Sequence, residues 1–396
     1  MTPADAASGL QVGWQSFLEV LARIPGQLHL DVAADDPRLT GERVQQLAMI
    51  AAQAYPILFS QDPHHPQLVP FTTPVFRAGT NPDFSYLYAA LDGRASYTLS
   101  GNRGTSLFVH VVQNAGMLGL HEQPGPPLAS LDVDTLDIAR DGSFSVLLAA
   151  RRPDGYRGDW WPLDERSTSI SIRQASNDWI NEIDGRFALE CLDPSELPSR
   201  QPPETSAENL EEIGRFVVRY VNALGHMRRA LAGMPENTLQ LSTWAQYGGL
   251  SSQYYYQGRF ELEDHEALVI ETAIPQRVRY WGIGLHDELF NALDWTTRQT
   301  SLNSHQACID ADGRFRAVIS IADPGVPNWL DPAGRHRGLL QGRWFEADSG
   351  PVPTIRRVQL RELREHLPRE TPGVDAQQRG MQLRVRSRGA QLRRKW

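Results

Sequence analysis

Ile138-Ala139-Arg140-Asp141-Gly142-Ser143-Phe144-Ser145-Val146 recurs 171 residues downstream as Ile309-Asp310-Ala311-Asp312-Gly313-Arg314-Phe315-Arg316-Ala317. In each copy an Asp-Gly pair precedes a stretch whose apolar members alternate, Phe144 and Val146 in one, Phe315 and Ala317 in the other. Asp-Gly tolerates the left-handed backbone of a tight turn, and alternation at period 2 puts one face of a strand in a core, so both copies predict a hairpin turn. The match continues outward. Trp161-Pro162-Leu163-Asp164 answers Trp329-Leu330-Asp331, the Arg173 strand answers the Arg343 strand, and Asp92-Gly93-Arg94-Ala95 parallels Asp264-His265-Glu266-Ala267. Two copies of one unit follow.

Each copy opens with a helical segment. In the second, Pro202-Pro203 stops what precedes, Thr205 and Glu208 suit a capping box, and Leu210, Ile213, Phe216, Val217, Tyr220, Leu224, Met227 and Leu231 form one apolar face before Gly233 and Pro235 end it. The first copy's helix is expected from about Gly41 to Ala54, with Val44, Leu47, Ala48 and Ala51 on its inner side, stopping before Pro56; another is expected near Trp14 to Arg23. After each helix come short period-2 segments divided by turn residues, such as Ser96 to Leu99 and Ser106 to Val112 around Gly101-Asn102-Arg103-Gly104. The fold class is therefore mainly β with helical decorations: two tandem antiparallel β-sandwich or jelly-roll-like units related by internal duplication, each preceded by a helix. The expected division is 1–39, an amino-terminal helical extension; 40–200, the first sandwich; 201–370, helix plus second sandwich; and 371–396, an Arg-rich tail.

Composition removes several chemistries. Of 39 basic residues only Lys395 is a lysine, and it is penultimate, which argues against lysine Schiff bases and a phosphate-binding P-loop. A net charge of −8 argues against a nucleic-acid partner for the whole molecule. Two cysteines are too few for a disulfide framework or a Cys-rich zinc site, and a cytoplasmic location is expected. Met1 to Gln11 lacks the basic and apolar regions of an export signal, and no uninterrupted apolar run reaches the roughly 18 residues of a membrane span. The tail carries Arg379, Arg384, Arg386, Arg388, Arg393, Arg394 and Lys395 against Asp375 alone, and reads as solvated or packed on a partner.

Asn81-Pro82-Asp83, the Tyr97 to Gly104 segment, Tyr280-Trp281, Ser301-Leu302-Asn303, the loop Asp323-Pro324-Gly325-Val326-Pro327-Asn328-Trp329-Leu330-Asp331 and Arg343-Trp344 together resemble the bacterial "domain of unknown function 1214" family. The resemblance is clearest over 260–366. It implies β-sandwich domains with helical decorations and carries no assigned reaction, so it assigns no role to any residue.

The eleven histidines include no H-x-H or H-E-x-x-H pair, so no metal site is expected from spacing, although one assembled in space stays open. No G-x-S-x-G elbow and no G-x-G-x-x-G opening a helix are present. What remains is a concentration of aromatic and polar side chains. Trp244, Tyr247, Tyr254, Tyr255 and Tyr256 lie close together, followed by Tyr280-Trp281 and Trp295; on a strand Tyr254 and Tyr256 share a face and Tyr255 takes the other. An aromatic-lined pocket with a few polar groups suits a hydrophobic small molecule. The expected catalytic set is His286 or Tyr255 as base, Arg298 as charge stabiliser and Asn303 as positioner; Trp281, Trp329, Tyr254, Trp244 and Asp331 are the expected substrate contacts. With neither cofactor nor metal expected, the reading is a lyase performing elimination or retro-aldol cleavage on an aromatic or hydrophobic small molecule. A metal-assisted hydrolase or oxygenase and a noncatalytic binding or assembly protein are the alternatives. Duplicated units also suit a homodimer that touches neither nucleic acid nor membrane.

Overall fold

Both Asp-Gly turns form where the repeat predicts them. Gly142 takes φ +84° and Gly313 φ +75°, backbone that penalises any residue with a Cβ. The aspartate before each glycine accepts the backbone N–H two residues on, from Ser143 at 2.9 Å and Arg314 at 3.0 Å. The arm ahead of each turn is too short to be a strand; in the second copy it makes only an isolated bridge, Ile309 to Phe315. The structure is a computed structural model and describes residues 11, 14–24, 37–72, 78–193, 203–244, 247, 249, 250 and 252–393.

The first unit contains β1 (Val69–Thr72), β2 (Phe84–Ala90), β3 (Tyr97–Gly104), β4 (Phe108–Asn114), β5 (Ala129–Asp132), β6 (Ser143–Ala149), β7 (Asp159–Pro162), β8 (Ser169–Ala175) and β9 (Asp184–Cys191). The second contains β10 (Thr238–Ser242), β11 (Gln253–Glu261), β12 (Glu266–Ala273), β13 (Tyr280–His286), β14 (Ser301–Asn303), β15 (Arg314–Ile319), β16 (Trp329–Leu330), β17 (Arg337–Phe345) and β18 (Thr354–Gln359). Strand order is β1-β2-β8-β4-β5 and β7-β6-β3-β9 in the first, β10-β11-β17-β13-β14 and β16-β15-β12-β18 in the second. Adding nine to each strand number of the first unit yields the second, so the repeat in sequence is a repeat of topology. The sheets are not wholly antiparallel, because β6 and β7 run parallel and so do β15 and β16.

One expected hairpin is absent. Gly101-Asn102-Arg103-Gly104 is the end of β3, and β3 and β4 belong to opposite sheets, so the chain crosses the sandwich there. Gly101 sits mid-strand for a steric reason: a Cβ would stand 1.9 Å from the Arg186 carbonyl oxygen.

Three helices join at one side: α1 (14–24), α2 (Pro37–Phe59) and α3 (Pro203–Ala232). The expected face of α3 is buried, with Phe216, Val217 and Leu231 fully so, but the helix starts at Pro203, ahead of the expected cap at Thr205. The inner face of α2 differs from expectation. Leu39, Arg43, Gln46, Ile50, Gln53 and Ile57 point inward and Val44 is exposed, because Gln46 hydrogen-bonds the Leu289 carbonyl (3.0 Å) and Asn291 (2.8 Å) and so pays its own desolvation. The helix also runs past Pro56 to Phe59, where Ile57 is held in the helical core.

The Arg-rich tail is a helix, α4 (Ala376–Leu392), capped by Asp375 with Gln378 in a reciprocal box. Two of its arginines and the C-capping Arg393 are used within the chain, while Arg384 and Arg388 are exposed. Arg386 lies 4.6 Å over the Trp179 ring and donates to the Trp295 carbonyl and Ser301 Oγ, both at 2.6 Å. Arg379 pairs with Asp323 at 2.8 Å, and Arg393 donates to the Pro82 and Asp83 carbonyls. Trp179, Pro82 and Asp83 belong to the first unit and Trp295, Ser301 and Asp323 to the second, so α4 straps the two together.

The five-stranded sheets face each other across that seam, with Phe84, Phe108, Val112 and Ala175 packed on Tyr280 and Phe345. At its centre Asp83 is 2% exposed. Its carboxylate accepts from Trp179 Nε1 (2.8 Å), Asn303 Nδ2 (2.6 Å) and the Tyr280 hydroxyl (2.7 Å). Asp83→Ala strands three buried donors and should cost about 3–5 kcal/mol, read as a drop in the denaturant midpoint at unchanged m-value. A loss below about 1 kcal/mol would assign the seam to aromatic packing instead.

Candidate functional site

Cross-strand registry lays out the inner face of each five-stranded sheet as a row, since directly paired residues point to the same side. In the first unit the row is Tyr86, Arg173, His110, Asp132. In the second it is Tyr255, Arg343, Gly282, Asn303. The duplication has thus kept a tyrosine beside an arginine in both rows. Arg173 lies 5.9 Å from the Tyr86 ring centroid and Arg343 5.5 Å from that of Tyr255, both within cation–π range.

Where the two tyrosine–arginine ends face each other the seam opens into a cleft of about 1130 Å³, including its open mouth. Its walls are Tyr86, Tyr88, Tyr255, Trp244 and Phe290, and α3 covers one side with Tyr220, Leu224 and Met227. Ser169, Ser171, Gln253 and Gln341 supply neutral polar groups. Arg343 is 7% exposed, its guanidinium donates to Gln341 Oε1, and its Nε is buried without a hydrogen-bond partner. Among the described residues no carboxylate pairs with it. A buried guanidinium without a carboxylate, in a cleft that Arg173 also lines, is costly, which makes this the electrostatic focus of the cleft.

The phenols beside it remain protonated at neutral pH. Burial pushes the Tyr86 hydroxyl up to about 12 against the opposing pull of Arg173 and Arg343, and pushes Tyr88 to about 12 as well. Tyr220 is moved upward by the same desolvation. Protonated, these hydroxyls keep the capacity to donate hydrogen bonds.

Of the nine site residues expected from sequence, Tyr255 and Trp244 reach the cleft. Tyr254, one position along β11, takes the other face and is 43% exposed. His286 stacks behind Phe290 at a ring distance of 5.0 Å, and neither ring nitrogen has a hydrogen-bond partner. Desolvation, aided by Arg343, drags it down to about 3, too weak a base for the role expected of it. Arg298 is half exposed and pairs with Asp331 at 2.9 Å, away from the cleft. Asn303 is spent on Asp83 and the Asn177 carbonyl. Trp281 fills the second sandwich against Phe315 and Trp344, and Trp329 lies beneath Arg379 of α4, bonded to the Ser320 carbonyl. The spread has one cause: proximity in sequence around β13 to β16 crosses both sheets of a sandwich, so neighbours in the chain face different layers. Tyr86, Arg173 and Arg343 went unassigned, although an arginine at matched strand positions of both repeats was the available signal.

His110, Asp132 and Glu346 bring metal-ligating atoms within 4.8 Å of one another at the far end of the first row. No helix among the described residues is long and apolar enough to cross a membrane.

No family model and no curated protein matches the chain. Among solved structures, an uncharacterized protein from Burkholderia cenocepacia is 26% identical with a TM-score of 0.83, over 90% of this chain and 99% of that one. The VPA0106 protein from Vibrio parahaemolyticus is 14% identical over 79% of this chain and 99% of that one, with a TM-score of 0.46. Salicylate 1,2-dioxygenase from Pseudoaminobacter salicylatoxidans, 9% identical over 81% of this chain and 80% of that one, has a TM-score of 0.17. The Burkholderia likeness makes this chain similar, over nearly its whole length, to a protein of the same two-unit build.

Proposed function

We propose that the cleft between the two units binds an aromatic or otherwise hydrophobic small molecule bearing an anionic group, and that the protein is a lyase acting on it by acid/base chemistry. The observation that carries this reading is Arg343, a buried guanidinium without a carboxylate, set among aromatic rings and neutral polar groups in a cleft that Arg173 also lines. A ligand carboxylate would supply the missing counter-charge through charge-assisted hydrogen bonds, while its ring meets Tyr88, Trp244 and Phe290. Within this reading Arg343 takes the charge-stabilising role first expected of Arg298. Tyr255 takes the proton-moving role alone, since His286 stays neutral and lies behind the wall. The resemblance to the "domain of unknown function 1214" family belongs to the same proposal and adds no residue roles.

Calorimetric titration with benzoate and cinnamate against the matching neutral amides tests the binding step. The acids should bind and the amides should be at least tenfold weaker. Arg343→Gln should weaken the acids by about 10–100-fold, as expected when a charge-assisted hydrogen bond worth about 1.5–3 kcal/mol is lost. Equal binding of acid and amide, or an unaffected variant, overturns the assignment.

His286 gives a second test through linkage. Its folded-state value lies below its unfolded one, so its neutral burial is fully favourable above the unfolded value near 6.5 and is lost as pH falls toward about 3. The stability gap between the wild type and His286→Phe should therefore shift against the wild type by up to about 1.4 kcal/mol per pH unit below pH 6. A gap constant from pH 7 to 4 would show that the imidazole is hydrated and available as a base.

A further inference from the structure

The two rows of the inner faces are alike at the tyrosine–arginine end and unlike at the other, where the first has His110 and Asp132 and the second has Gly282 and Asn303. Each divergent end is met by a carboxylate from the opposite unit. Asp83 of the first unit meets Asn303, and Glu346 of the second meets His110. The first of these contacts is fully bonded. The second is not.

His110 is 6% exposed, and its Nε2 is buried without a hydrogen-bond partner. That nitrogen lies 3.7 Å from Asp132 Oδ2 and 3.6 Å from Glu346 Oε1, too far for a hydrogen bond to either. On the other side of the ring Nδ1 is 3.1 Å from Ser130 Oγ. With the proton on Nδ1 and donated to that hydroxyl, Nε2 turns a lone pair toward Asp132 and Glu346; Arg279 offsets the charge of those carboxylates, but no donor reaches the nitrogen itself. Spacings of 3.6 and 3.7 Å are those of ligand atoms sharing one ion at about 2.1 Å. Phe108 and Phe345, each with its ring 5.3 Å from the imidazole, pack against it edge-on.

We propose that His110 Nε2, Asp132 and Glu346 bind a divalent transition-metal ion, with zinc(II) the best match to one imidazole and two carboxylates. The ion joins the units, because His110 and Asp132 come from one and Glu346 from the other. Arg279, which pairs with Asp132, with Glu346 Oε2 at 3.2 Å and with Asp134 at 2.7 Å, then serves as the outer partner of the carboxylates and gives up its hold on Asp132 Oδ2. The Ser130 hydroxyl fixes the imidazole tautomer in the same manner. The site is separate from the cleft and does not rest on the ligand proposed for it.

The test is a calorimetric titration of the full chain, stripped with chelator and dialysed, with zinc chloride at pH 7.5. One equivalent should bind with micromolar or tighter affinity, and the thermal midpoint should rise with zinc concentration. His110→Ala and the more conservative Glu346→Gln should each weaken binding at least tenfold and abolish the rise in midpoint. His226→Ala, which breaks an exposed histidine–carboxylate pair with Glu122, should change neither. The proposal is overturned if the wild type takes up no zinc at 100-fold molar excess, or if the His110 and Glu346 variants, folded by circular dichroism, bind as the wild type does.

Discussion

A buried carboxylate without a formal ion pair sets the position of the two units. Asp83 is held by three neutral donors, two of which, Tyr280 and Asn303, come from the opposite unit. Because each donor is itself buried, none can turn to water if the units shift, and every alternative placement leaves at least one polar group unsatisfied. Apolar packing between Phe108 and Phe345, stacked at 4.5 Å, contributes area but tolerates sliding. Direction comes from the hydrogen bonds. Tyr280 shows the reciprocal effect, its hydroxyl pushed well above the ordinary range by burial and by Asp83, so it remains a donor at every physiological pH.

Near absence of lysine gives the molecule one kind of cation with which to solve two different problems. A planar guanidinium with five donors can be buried if acceptors surround it, and Arg386 is such a case: a carbonyl, a hydroxyl and an amide oxygen take its protons, with Trp179 under its face. Desolvation brings it down to about 10, still charged at neutral pH. Arg343 is equally deep, yet among the described residues its guanidinium meets one amide oxygen and a ring. The contrast between a saturated and an unsaturated buried arginine separates a strap from a site.

The repeat made the fold legible because topology is copied along with sequence: Asp141-Gly142 and Asp312-Gly313 mark the same turn, and the strands between them and the Arg173 and Arg343 segments fall in the same order. Periodicity also found the buried face of α3. It failed on α2, where Arg43, Gln46 and Gln53 occupy the inner face and Val44 the outer, since a side chain that finds its own partners need not be apolar to be buried. It failed on α4 for the same reason, an arginine face having no hydrophobic signature. Of the candidate site, only Tyr255 and Trp244 were legible. Tyr255 was correctly separated from Tyr254 and Tyr256 by the pleat, but which layer a strand faces depends on sheet order, and β13 and β15 are in different sheets.

Duplication then explains why the proposed binding cleft lies at the seam. Two copies of a sandwich that differ nowhere would meet with identical rows, and identical arginines would repel across the contact. Here one end of the rows keeps both arginines and opens into a cleft, so that their repulsion is relieved by solvent or by an anion, while the other end has diverged into Asp83 with Asn303 and Glu346 with His110 and closes. Closure at one end holds the cleft at fixed width at the other. Preorganisation of this kind lets a guanidinium wait desolvated for its counter-charge, because the cost of burying it has been met by folding and is not charged to the ligand on binding.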